Sequence, residues 1–431
     1  MKKFVSCALV AIFFCLIFAG CNKKTQAIDC YDIKVNYYDN GLIAVDLTVT
    51  YHKKMGEDMA HFNLFPKGEC ALKLNKSTAN FKLIKVMVNG ADANYSYDTP
   101  YCLLVDAPNI DTFDVTLKYT ILLGEGEGRL CKTKSGINMG NFLILACPVI
   151  DGKFIKYAPS NFGDPFVSQV ANFNVSLIVP STYVVSASAN AKTCDIYGDK
   201  TLYSYTQNYI RDFCFSLSKN YNINYQKWGN KPVIYYFYND TNSNLTSQLI
   251  MDALCFYQNI FNTYPYGALS ICQTTFSHGG MEYPLMAFAA DNLSREEFYF
   301  AIAHEIAHQW WYSLVGVNQV YDYYIDEGFA QYSAYLFFKN YPQYGVDTKN
   351  FVQENNLLVE GYKNNPFKRI AVTNFSSDED YYINAYAYPF YLIYKKAQRA
   401  GESTVIKYMQ SILNDYKNKF VPPTVFDFFI D

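Results

Sequence analysis

Between residues 31 and about 218 the chain alternates apolar and polar positions. GLIAVDLTVTYHKK (41–54) does so with a period of two. FKLIKVMVNG (81–90), FDVTLKYTILLG (113–124) and FNVSLIVPSTYVVSAS (173–188) alternate or run in β-branched and aromatic residues between Gly, Asn, Asp and Pro turns. A period of two puts successive side chains on opposite faces of a strand, so residues 31–222 are predicted to form an all-β N-terminal domain. The pattern breaks at NYQKWGNKP (224–232). Beyond it, SQLIMDALCFYQNIFNTY (247–264) carries apolar residues at helical spacing, PYGALSICQTTF (265–276) leads into a strand, and helices dominate from 294 onward. Residues 223–431 are therefore predicted to be a second, α+β domain.

The first twenty residues follow neither pattern. MKK is a basic start, and Phe4 to Phe18 is an apolar run of signal-peptide length, short for a membrane span. It ends in IFAGC (17–21), which resembles a bacterial lipoprotein signal, with Phe18 where leucine is usual. The resemblance implies a signal over 1–20, lipidation of Cys21 and an extracytoplasmic protein held on the membrane. Each buried acyl methylene would contribute about 0.8 kcal/mol. Residues 21–30, beginning with the polar NKKTQA, would be the tether.

Composition narrows the picture modestly. Half the residues are apolar and the net charge is −3, so the chain is globular and offers no basic surface for nucleic acid. Lysine far outnumbers arginine and tyrosine is abundant, which we read as compositional bias. Of the 12 cysteines, Cys7 and Cys15 fall in the signal and Cys21 is the anchor candidate. The rest are scattered without a CxxC pair, which suits small buried hydrophobes; their spacing leaves a disulfide or two open.

Histidine is the informative residue. Two of only five lie in SREEFYFAIAHEIAHQWWYSL, from Ser294. Ser294 and Glu297 fit a capping box, and Phe298, Ile302, Ala303, Ile306, Ala307 and Trp310 recur at helical spacing. His304 and His308 then share one face, about 6 Å apart along the axis, and can converge on one zinc. Glu305 is rotated off that face but within reach of a metal-bound water. A catalytic zinc needs a third protein ligand, and Glu327 follows His308 after eighteen residues, near the predicted start of a second helix at Asp326. Trp310 and Trp311 suit the core; His52, His61 and His278 have no comparable partners.

With these residues assembled, the sequence resembles the aminopeptidase N and leukotriene hydrolase family of zinc metallopeptidases, peptidase family M1. The first match is the set His304, Glu305, His308 and Glu327 in HEIAHQWW and DEG. The second is GGMEYP (279–284), similar to the family's GxMEN exopeptidase motif. The third is INAYAYPFYLIYKKAQRAGE, whose Tyr386 falls where the family has its catalytic tyrosine, fifteen residues before Gly401. The fourth is the β-rich front half with YIRDFCFSLSKNY. The resemblance covers roughly residues 31–431.

It implies a thermolysin-like catalytic domain with one Zn2+ on His304, His308 and Glu327. Glu305 would carry the proton, and Tyr386 would stabilise the oxyanion. Gly279, Gly280, Met281 and Glu282 would bind the substrate, the glycines by close backbone approach and Glu282, on an edge strand, by pairing with the free α-ammonium. Tyr382 and Tyr388 remain alternatives to Tyr386, which Pro389 would set at a helix entrance. The substrates would be peptides with a free N-terminus. Three departures stand out. Tyr283 replaces the motif's asparagine, a change expected to alter the floor of the amine subsite. NMGNFLILACP (138–148) offers no match to the first-domain residue that helps hold the ammonium. The family's large C-terminal helical domain is expected to be absent. Rival readings are another zinc hydrolase of the family, such as an endopeptidase, and a catalytically silent peptide-binding surface lipoprotein.

Overall fold

The computed structural model describes residues 28–54, 56–72, 79–262, 264–362 and 369–430. The signal segment and Cys21 lie outside the described residues. The alternating segments form an eight-stranded sheet in which Leu42–His52 runs against Thr112–Leu122, antiparallel from Leu42↔Leu122 to His52↔Thr112. Strict in–out burial along Leu42–His52 is what a half-buried sheet requires. Cys30–Tyr37 lies beside it and pairs in parallel with Ala171–Pro180. Two four-stranded sheets, one containing Met59–Asn63, the other Ile137–Met139 and Phe215–Ser218, and a two-stranded ribbon of Val149–Ile150 and Lys153–Phe154 accompany this sheet in the β domain. Phe65–Ala71 is a short helix inside this otherwise β region.

Two boundaries move. The tether expected to reach residue 30 gives way to the fold earlier. Asp29 is buried, taking the His52 amide at 3.0 Å and the Lys54 ammonium at 2.6 Å. At the other end, Asn222 already belongs to the second domain's sheet. That sheet has the order Asn222–Trp228, Lys231–Phe237, Leu269–Thr274, Met286–Ala290, Gly280–Met281. Its inner three strands are parallel and its last is a two-residue antiparallel edge. Against it pack the helices Ser243–Phe261 and Arg295–Ala307; Tyr323–Asn340 lies on these helices and, further out, come Thr348–Gly361, Tyr388–Ala400 and Glu402–Asp415.

The two domains are stitched by buried polar groups. Arg211 donates to the carbonyls of Ser168 (2.9 Å), Tyr312 (2.8 Å) and Lys419 (3.0 Å), joining the end of the β domain to two parts of the catalytic one. A side chain at Gly316 would collide with this guanidinium, which explains the glycine there. Trp310 and Trp311 are buried, as core residues should be. Among the described residues the cysteines are free thiols, and no helix is long and apolar enough to cross a membrane.

Candidate active site

The histidine helix, Arg295–Ala307, begins with the capping box: Ser294 Oγ accepts from the Glu297 amide, and Glu297 answers the Ser294 amide. Tyr257 fixes its far end by donating to the Ala303 carbonyl at 2.9 Å. At His308 the helix widens into a π turn, Gln309–Leu314, with the Ser313 amide reaching the His308 carbonyl at 3.0 Å. The wider turn aims Gln309 sideways, where it takes the Leu285 amide (2.8 Å) and donates to the Tyr283 carbonyl (3.2 Å). The chain returns as Tyr323–Asn340, three residues earlier than Asp326, so Glu327 sits in the second turn facing the histidines.

The three side chains meet. His304 Nε2 and His308 Nε2 are 2.9 Å apart, and Glu327 Oε2 is 3.1 Å from the first and 3.3 Å from the second. Ligand bonds of about 2.0–2.1 Å at tetrahedral angles demand ligand atoms roughly 3.3 Å apart. The triangle fits a single zinc with its fourth corner left over. Burial pushes the Glu327 carboxyl up, but hydrogen bonds from His304 and His308 outweigh this and hold it at about 2. Burial likewise opposes charge on His308, yet Glu327, Glu282 and Glu305 raise it well above its usual range. These acids make the pocket one that calls for positive charge. Glu305 lies beside it, pushed up by burial, with Oε2 lacking a hydrogen-bond partner among the described residues.

Glu282 follows the edge strand and is 3% exposed. Its carboxyl is pushed up to about 7, first by burial and then by Asp164. The space a side chain at Gly280 would need is filled by the Glu305 carboxylate, so this glycine makes room for Glu305. Met281 is buried, its sulfur accepting from Arg129 Nε at 3.3 Å. Gly279 has φ of +82°, a left-handed turn with open space beside it.

Tyr386 stands with its ring centroid 6.0 Å from that of His304. It lies inside a π turn, Ile383–Ala387, that runs without a break into Tyr388–Ala400, not at a helix entrance. Burial and the nearby Glu327 keep its phenol protonated. Tyr382 is partly exposed and stacks on Tyr386, and the Tyr388 ring pairs with Tyr391. Of the three tyrosines, Tyr386 is the one against a zinc-ligand candidate.

Several groups at the site had no sequence signal. Asp164, ion-paired with Arg129, brings β-domain charges to the pocket. Tyr381 packs edge-on to Tyr386. Gln319 donates to Glu282 Oε1 and to Asp326 Oδ2, each at 3.0 Å. Tyr283 does not floor the pocket. It is fully buried and donates to Asn141 Oδ1 at 2.7 Å, in space that a side chain at Gly140 would occupy. The unmatched segment 138–148 thus receives the tyrosine that departs from the motif.

Residues 246–426 match the family model of the peptidase family M1 domain. The catalytic domain belongs to peptidase family M1. It is that of a zinc metallopeptidase, a hydrolase. The two-domain fold is similar to an M1 zinc metallopeptidase from Deinococcus radiodurans, at 15% identity and a TM-score of 0.65, covering 94% of this chain and 89% of that one. A mutant of that enzyme bound to a Tyr-Ser-Ala substrate matches at 14% identity and a TM-score of 0.65, covering 94% and 90%. No curated protein matches in sequence.

Proposed function

We propose that the protein is an aminopeptidase that removes residues from the free N-terminus of peptides. One observation carries the reading: a buried carboxylate, Glu282, within 4.8 Å of His308 and in no ion pair with a lysine or arginine among the described residues. In an N-terminal residue the ammonium nitrogen and the first carbonyl carbon are roughly 2.5 Å apart. The short span lets one residue present its ammonium to Glu282 and its first carbonyl to the metal site. An internal peptide bond brings no charge to pair with Glu282, so a buried acid would be left facing a neutral chain.

The substrate would lie along the outer edge of Gly280–Met281, pairing as an added strand. His304, His308 and Glu327 would hold the zinc, which would supply a Lewis acid and lower the pKa of a bound water to about 7. Glu305 would act as the general base and return the proton to the leaving amine. The Tyr386 phenol donates to the oxyanion, a contact whose loss typically costs about 2.7–4 kcal/mol of barrier. The Tyr-Ser-Ala ligand of one neighbour, and the L-tryptophan of another, support a peptide and amino-acid ligand class.

The test compares aminoacyl amides with their N-acetyl counterparts, for the native enzyme and for Glu282→Gln. Cleavage confined to the free amine, with kcat/KM in the variant down about 100-fold, is the expected result. Equal cleavage of both substrates would point to the endopeptidase reading. We further propose, from IFAGC, an extracytoplasmic enzyme lipidated at Cys21; fatty-acid labelling of cells should mark the native chain and miss Cys21→Ser.

A further inference from the structure

We infer that Gln319 is a positioning residue for the amine subsite, holding Glu282 through an amide whose orientation is locked by Asp326. The inference rests on the aminopeptidase reading. Gln319 lies on the loop between the histidine helix and the helix bearing Glu327, and it is buried. Its Nε2 is 3.0 Å from Glu282 Oε1 and 3.0 Å from Asp326 Oδ2. An amide nitrogen has two hydrogens and a carboxylate only accepts, so each acid takes one. Asp326 cannot turn away, because its other oxygen accepts the Glu327 amide at 3.1 Å. With both acids ionised, only the NH2 end of the amide can face them.

Three consequences follow for binding. Two buried acids that would repel each other are held by a shared donor. One oxygen of Glu282 is fixed by Gln319, which leaves the other to meet an ammonium. Asp326 adjoins Glu327 in sequence, so the ammonium acceptor is indexed to the same turn that supplies a zinc ligand. That link sets the distance from the charged N-terminus to the first carbonyl, the quantity an aminopeptidase must get right. A hydrogen bond to a charged group at such a site is worth about tenfold in binding.

The experiment uses Gln319→Met, which keeps the length and apolar bulk and loses both donors. Inhibition is measured with an amino-acid hydroxamate and with the same hydroxamate lacking its α-amine, alongside zinc content per chain. The expected result is about a tenfold loss for the amine-bearing inhibitor, little change for its partner, a raised KM that exceeds any change in kcat, and native zinc content. Equal loss on both inhibitors, loss of zinc, or no change would overturn the inference. Should Gln319→Met fail to fold, Gln319→Glu decides it, since one carboxyl hydrogen at most cannot serve two acceptors and the amine preference must again fall. If the native enzyme shows no preference for the amine-bearing inhibitor, the aminopeptidase reading fails instead.

Discussion

At the residue scale, the site is governed by what burial does to acids and by what each acid has for company. Glu327 is satisfied by two imidazoles, whereas Glu305 has an oxygen with no hydrogen-bond partner among the described residues. Glu305→Gln should therefore retain zinc while kcat falls about 10²–10⁴-fold; a variant that stays active, measured on a free-amine substrate, would remove Glu305 from the proton path. Away from the site, Asp212 is buried and pushed up to about 7 by burial, although it accepts the Phe213 amide at 2.7 Å. Its folded value lies above its unfolded one, so the folded state holds the proton longer. Stability should be greatest below about pH 4, fall as pH rises, and level off past about 7, a change on the order of 4 kcal/mol. Asp212→Asn should flatten that slope in denaturant titrations across pH, and an unchanged slope would assign the dependence elsewhere.

At the scale of elements, the histidine helix and the edge strand are a fitted pair. A methyl at Gly280 would land on the Glu305 carboxylate. Gly280→Ala should displace that carboxylate, costing about 1–3 kcal/mol of stability or a large part of kcat, with zinc content kept. Native kcat and melting temperature together would contradict the contact. This scale also separates what a sequence can disclose from what it cannot. His304, His308 and Glu305 were legible because helical spacing is local, and the long strands because a half-buried face imposes period two. Tyr386 was reachable through resemblance, but its π turn was not, since Pro389 reads equally well as the first turn of a new helix. Gln319, Asp164 and Arg129 carry no local pattern: a loop amide and a β-domain ion pair acquire meaning only once distant segments meet. Tyr283 looked like a change in the pocket floor and is instead a link to Asn141, because one-dimensional spacing says nothing of which way a side chain turns.

At the scale of the whole molecule, the two domains share buried polar seams through Arg211, Tyr283 and Arg129. The catalytic pocket is completed by charges from both. Ligand binding at such a centre should stabilise the fold as a unit. Chelation should lower the melting temperature and zinc should restore it, by about 4 kcal/mol when zinc is present at a thousandfold excess over its dissociation constant. A melting temperature indifferent to chelator would separate the site from the fold. The claim on which the rest depends is that His304, His308 and Glu327 hold one zinc. Anomalous diffraction at the zinc edge from crystals of the loaded enzyme tests it directly. The account predicts a single strong peak per chain, about 2.0–2.2 Å from His304 Nε2, His308 Nε2 and a Glu327 oxygen. A principal peak elsewhere in the chain, or a Glu327 carboxylate turned away from it, would contradict the account.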